Sequence, residues 1–138
     1  MKKVTVCAIS LIAIFACALI TACTKPGNID IEPVFIKADD KGFDFNGKTV
    51  LDYMNYLQDE GELTFVIGSN GMVVSINGKN NDGNYYWMLY TDDTENSNYA
   101  WGTYEHEDVT YLSAAVGVGE LRVVENRTYI WVYRSCTL

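Results

Sequence analysis

The spacing of apolar positions changes rhythm along this chain and marks out its elements. Between Thr49 and Glu60, Val50, Met54 and Leu57 recur at helical spacing with Leu51 beside them, while Asp52, Asn55 and Asp59 fall opposite. Thr49 and Asp52 form a T-x-x-D capping box and Gly61 is a left-handed stop, so a helix over 49–60 is predicted. Beyond Gly61 the rhythm becomes that of strands, expected over 63–67, 72–76, 85–91, 110–116, 121–124 and 128–134. Ahead of the helix, Val34 to Lys37 reads as a first strand, and Phe43-Asp44-Phe45 as a short one leading into the Asn46-Gly47 turn. Turn residues separate several strands: Ser69-Asn70-Gly71, Asn77-Gly78, Asn80 to Asn84, and Glu125-Asn126. Tyr85 to Tyr90 and Tyr129 to Tyr133 are apolar on both parities, as in strands covered on both faces, and are expected in the middle of the sheet. The polar stretch from Asp92 to Asp108 has no period and is expected to be a long loop. One helix followed by many strands gives an α+β domain, the helix packed on a mixed, mostly antiparallel sheet.

The first residues belong to a different pattern. Lys2 and Lys3 precede an apolar run, and Ile20-Thr21-Ala22-Cys23 closes it. A positive start, an apolar middle and a small-residue ending make a secretory leader, and the last four residues resemble a bacterial lipobox. The resemblance implies a lipoprotein signal peptide over 1–22, cleavage after Ala22 and a lipid attached to Cys23. Thr24 to Pro33 holds both prolines, so 23–31 is read as a short tether and 32–138 as one domain. An uncleaved span from Val4 to Ala22 is the competing reading, since its length just crosses a bilayer. Either places the body outside the cytoplasmic membrane. Several acyl chains would hold it at the extracytoplasmic face without a protein span. Cys7 and Cys17 leave with the leader and Cys23 is acylated, so Cys136 has no intramolecular partner.

Charge and residue counts narrow the chemistry. Ten Lys and Arg face 18 Asp and Glu, a net −8, and a leader that carries off Lys2 and Lys3 leaves −10. That sign repels phosphate, so no nucleic acid is expected as a partner. A lone histidine, His106, excludes a multi-histidine metal site and has no nucleophile turn to serve. Asn80-Asn81-Asp82-Gly83 has the look of a calcium loop, but Gly78 and Leu89 stand where acids are needed. Acid clusters at Asp92 to Glu95 and Glu105 to Asp108 read as solvated charge, and weak surface calcium binding is the alternative. Gly117-Val118-Gly119 lacks the third glycine and following helix of a dinucleotide site. No metal, cofactor or catalytic constellation is expected. The excess is in aromatics: ten Tyr, three Trp and five Phe. Tyr99, Trp101, Tyr104 and Tyr111, in or beside the expected loop, are the candidate ligand-binding residues: a platform for a flat ligand, or a lid that completes the core.

The ordered set Gly47-Lys48-Thr49-Val50-Leu51-Asp52, Ser75-Ile76-Asn77-Gly78, Tyr86-Trp87-Met88-Leu89-Tyr90, Val116-Gly117-Val118-Gly119-Glu120-Leu121 and Tyr129-Ile130-Trp131-Val132-Tyr133 resembles one family. It is a domain of unknown function of bacterial surface proteins, similar to the carboxy-terminal domain of transcobalamin and intrinsic factor. The resemblance spans roughly 32–135 and implies a β-grasp-like fold without enzymatic activity. It also implies a small-molecule ligand, a corrinoid such as cobalamin, captured for uptake and passed to a membrane transporter. The helical domain of the cobalamin carriers has no counterpart here. A cell-surface protein-interaction or adhesion module with no small-molecule ligand stays open beside it.

Overall fold

The computed structural model describes residues 30–135; the leader, Cys23 and Cys136 lie outside the described residues. In chain order come β1 (Val34–Lys37), α1 (Val50–Asp59), β2 (Phe65–Ile67), β3 (Val73–Ile76), β4 (Lys79–Asn80), β5 (Tyr85–Thr91), β6 (Ser97–His106), β7 (Val109–Ala114) and β8 (Thr128–Ser135). They form a five-stranded sheet in the order β1-β8-β5-β7-β6 and a three-stranded sheet in the order β2-β3-β4. Among the described residues every strand pairing is antiparallel and the strands form two sheets, where one mixed, mostly antiparallel sheet was expected. With one helix among the described residues this is an α+β architecture. β8 and β5, apolar on both parities, sit inside the larger sheet as expected, paired from Tyr85↔Ser135 to Thr91↔Tyr129.

The two faces of that sheet bury different cores. Trp87 and Leu89 of β5 and Tyr129, Trp131 and Tyr133 of β8 pack with Val50, Tyr53, Met54 and Leu57 of α1, and with Val73 and Ile76 of the small sheet. Met88 and Tyr90, one residue out of phase, join Ile130, Val132, Tyr104 and Tyr111 on the other face. The alternation follows from the two-residue period of a strand. Each face is therefore closed by different parts of the chain, the first by the helix and the second by the β6–β7 hairpin.

Three further expectations need correction. Phe43-Asp44-Phe45 is not a strand but a loop whose rings pack edge-on to each other and against Tyr53. Leu121 to Val124 alternates because Leu121 and Val123 are buried, yet it forms only an isolated bridge at Thr49↔Arg122. Its backbone instead ties down the helix start, with Val50 N–H donating to Leu121 O (2.8 Å) and Val123 N–H to Lys48 O (3.1 Å). The expected loop from Asp92 to Asp108 is mostly β6. This strand lies at the sheet edge with nearly every residue at least partly exposed, so no apolar alternation marks it. Its turn, Glu107-Asp108, has φ of 47° and 63° at the two residues, a hairpin geometry that Asn-Gly would have announced.

The predicted cap is present: Asp52 N–H donates to Thr49 Oγ1 (3.2 Å) and Thr49 N–H to Asp52 Oδ2 (2.8 Å). The Thr49 N–H, and with it the Thr49 hydroxyl (3.0 Å), donates to the Asp52 carboxylate and lowers its pKa from the ordinary value. Thr49→Ala is expected to cost about 1 kcal/mol of unfolding free energy in a urea titration. A carboxyl whose folded pKa is depressed stabilises above its unfolded pKa, so the Asp52 contribution disappears as pH falls below the 3.8 of a free carboxyl.

Tyr129 shows the opposite sign. Fully buried, it accepts Val124 N–H (2.9 Å) and donates to Arg122 O (3.3 Å), and burial pushes its hydroxyl up to about 12. The neutral phenol is the form that folding favours. Its contribution is complete below pH 10, the unfolded value, and is lost as pH rises through 12. Tyr129→Phe is expected to lower stability by about 1 kcal/mol at neutral pH and to flatten the fall in melting temperature between those limits.

Candidate functional site

The most distinctive local structure lies in β6. Its ladder with β7 runs Ser97↔Ala114 and Asn98↔Ser113, then resumes at Thr103↔Leu112, so residues 99–102 stand out as a bulge. Gly102 turns the chain with φ of 78°, a conformation that favours glycine. The bulge is fastened from beneath by buried polar groups. Ser113, 1 % exposed, accepts the Trp101 N–H (3.2 Å) and donates to Asn98 O (2.8 Å). Tyr90, fully buried, donates its hydroxyl to Trp101 O (3.0 Å). Arg134 Nη1 in turn donates to Tyr90 Oη (2.8 Å) and Thr103 O (3.2 Å). Both backbone polar groups of Trp101 are thus satisfied by the core, while its indole and the Tyr99 ring point outward, 47 % and 73 % exposed.

Trp101 lines a cleft. β5 pairs with β8 along its whole length but with β7 only through Tyr90 and Thr91. Beside Trp87–Leu89 the chain from Ala114 to Val118 has already diverged, and the gap opens a cleft of about 320 Å³. Trp87 and Trp131 line it from the larger sheet, Met72 and Val73 from the entry to β3 and Trp101 from the bulge. Asn81 holds the opened edge of β5: its Oδ1 accepts Trp87 N–H (3.0 Å) and its Nδ2 donates to Val73 O (3.2 Å). Met72, Trp101 and Val116 form an exposed apolar rim. Trp131 is 4 % exposed, and its indole N–H has no hydrogen-bond partner among the described residues.

The four candidate aromatics therefore divide. Tyr99 and Trp101 are displayed; Tyr104 and Tyr111 are not. The latter two face each other across the β6–β7 ladder and pack on Tyr90 and Ile130, where burial raises both hydroxyls above the ordinary tyrosine value. The hairpin tip curls over this second core until His106 meets Phe35 of β1, ring centroids 4.6 Å apart, and stacks on Tyr104. His106 is thus a half-buried strand residue rather than a loop histidine.

The other sequence candidates turn out to be held by backbone. Asp93, 3 % exposed, accepts Glu95 N–H (3.2 Å) and Asn96 Nδ2 (2.7 Å), and Asp92 Oδ1 accepts Thr128 N–H (2.9 Å). Both carboxylates brace the turn that leads into β6. Gly117 closes a turn whose carbonyl accepts the Glu120 and Leu121 N–H groups, and the same turn forms one lip of the cleft. Among the described residues no group of His, Cys, Asp and Glu is arranged to hold a metal ion, and no helix is long and apolar enough to cross a membrane. Compared with known proteins, the chain matches no family model, no curated protein and no solved structure.

Of the four candidate aromatics Trp101 alone lines the cleft; Trp87, Trp131 and Met72, which also line it, were not among the sequence candidates. The double-parity apolar runs marked Trp87 and Trp131 only as core. The signal that could have found them is the G-x-G turn that draws the chain away from β5 just after β7.

Proposed function

We propose that this chain is a non-catalytic binding lipoprotein, held at the extracytoplasmic face of the membrane by acyl chains on Cys23, and that the cleft beneath Trp101 takes a small organic molecule. The observation that carries this reading is the fastened bulge. Ser113 and Tyr90 commit buried polar groups to holding the backbone of a residue whose indole is half in water, which pre-organises a contact surface. The cleft volume of about 320 Å³ lies at the lower end of the range for small-molecule sites. Its apolar rim is the kind of exposed patch that marks a binding surface.

The family resemblance nominates a corrinoid, and the single helix against antiparallel sheets is compatible with a β-grasp-like fold. A corrinoid is much larger than the cleft, so it would insert one edge and lay its face against Trp101 and Tyr99. The opposite face would remain for a second protein, such as a membrane transporter subunit. Cobinamide added to the full-length chain is then expected to quench tryptophan fluorescence and shift the corrinoid absorbance, both saturably. Unchanged signals at high micromolar cobinamide would remove the corrinoid from the account.

The second reading, a protein-interaction or adhesion module, draws support from Tyr99, 73 % exposed, and from the outer edges of β1 and β6, which pair with no strand among the described residues. It predicts a protein partner in pull-downs whose capture is unaffected by removing corrinoids.

A further inference from the structure

We propose that Asn46 is the site of an uncatalysed modification that records the age of this chain: deamidation, in which the backbone nitrogen of Gly47 attacks the Asn46 carboxamide and water completes its conversion to a carboxylate. The proposal stands apart from what the cleft binds. Asn-Gly pairs suit this cyclisation because glycine has no Cβ to hinder the attacking nitrogen, and the chain has three, at Asn46, Asn70 and Asn77. All three lie in exposed turns, so exposure does not separate them. Hydrogen bonding does. Asn70 Oδ1 accepts the Met72 N–H (3.1 Å), and the Gly71 N–H that would attack already donates to Gly68 O (3.0 Å). Asn77 Oδ1 accepts the Thr64 N–H (3.1 Å) and the Thr64 hydroxyl (3.5 Å), which ties that carboxamide down. Asn46 has neither restraint. Its own N–H donates to Asp44 Oδ1 (3.0 Å), but among the described residues its carboxamide has no hydrogen-bond partner and the Gly47 N–H no acceptor.

The chemistry needs only water. The Gly47 nitrogen gives its proton to hydroxide and bonds to Asn46 Cγ, closing a five-membered succinimide. The Cγ–Nδ2 bond breaks, and Nδ2 takes a proton from water and leaves as ammonia, which returns the hydroxide. A second water opens the ring. Cleavage at Cγ gives aspartate; cleavage at the α-carbonyl gives isoaspartate, whose main chain runs through Cγ. Arg122 favours the first step, because its Nη1 donates to Gly47 O and sets a cation beside the residue whose nitrogen becomes anionic. The products act on the helix start. Lys48 N–H donates to Phe45 O (3.2 Å) and Lys48 O accepts Val123 N–H (3.1 Å), while the Val50 and Leu51 N–H groups reach Leu121 O (2.8 Å) and Val118 O (3.1 Å). Either product adds a negative charge one residue from the Arg122 contact. Isoaspartate also adds a methylene to the main chain just ahead of these bonds, and so loosens the tie between the helix start and the 118–123 segment.

The full-length chain, incubated in heavy-oxygen water at mildly alkaline pH both folded and in urea, is mapped by mass spectrometry over time. In the folded chain Asn46 is expected to take up the label at least about tenfold faster than Asn70 or Asn77, the rate equivalent of one hydrogen bond that must break before attack. In urea the three rates are expected to converge. Asn46→Gln, which could close only a six-membered ring, is expected to abolish the fast phase of labelling. The labelled fraction, separated by its added charge, is expected to melt about 4 °C or more below the fresh chain, as for the loss of one hydrogen bond in a domain of this size. Equal labelling of the three asparagines in the folded chain would overturn the assignment, as would Asn70 or Asn77 running ahead of Asn46. A labelled fraction that melts with the fresh chain would overturn the effect on the helix start.

Discussion

Trp101→Ala is expected to weaken ligand binding by about thirtyfold or more, the loss typical of a central aromatic contact. It is expected to move the melting temperature by less than about 4 °C, as for other surface changes in a domain of this size. The separation follows from how the residue is held. Its side chain is half exposed, so truncation removes little core packing. Its N–H and C=O, bonded to Ser113 and Tyr90, survive in alanine, so the bulge keeps its shape. Only the indole over the cleft is lost. Titration with cobinamide, beside a thermal melt of the same preparation, reads both quantities. Unchanged affinity would place the ligand elsewhere; a large fall in melting temperature would make Trp101 a structural residue.

Tyr90→Ala carries the largest expected loss of stability, about 3–5 kcal/mol, as for other large aromatic-to-alanine changes in a core. At the usual scaling this lowers the melting temperature by at least about 12 °C. Tyr90 is fully buried at the centre of the second core, and its hydroxyl joins Trp101 O to Arg134. Truncation leaves a ring-sized cavity and deprives the bulge of one of its two fasteners, so affinity falls along with stability. Tyr90→Phe separates the parts. It keeps the ring and is expected to cost about 1–3 kcal/mol through the polar groups left unpaired, with a looser bulge and weaker binding. Equal stability of wild type and Tyr90→Phe would show that the hydroxyl plays no part in holding Trp101.

Much of the scaffold was legible because strong periods marked it. The helix start could be read from Thr49 and Asp52, whose side chains reach one another across a single turn. β1 and β5 could be read to the residue, and β8 to within one, because their apolar positions face real cores. β6 could not be read, because an edge strand exposed over most of its length leaves no alternation. Its turn uses Glu107 and Asp108 in left-handed conformations that these residues seldom adopt. The same limit applies to the site. Tyr99 and Trp101 stood out as aromatics in a polar stretch, but Tyr104 and Tyr111 stood out equally, and only the β6–β7 register decides which are displayed. The cleft itself arises where β7 diverges from β5, a tertiary event whose one local trace is the Gly117-Val118-Gly119 turn.

The most direct test is native mass spectrometry of the chain isolated from the membrane of its host, wild type beside Trp101→Ala. The account predicts that the wild type carries acyl chains on Cys23 and a non-covalent organic passenger, and that the variant keeps the acyl mass and loses the passenger. A passenger retained by Trp101→Ala, or a wild type with Cys23 unmodified and nothing bound, would contradict it.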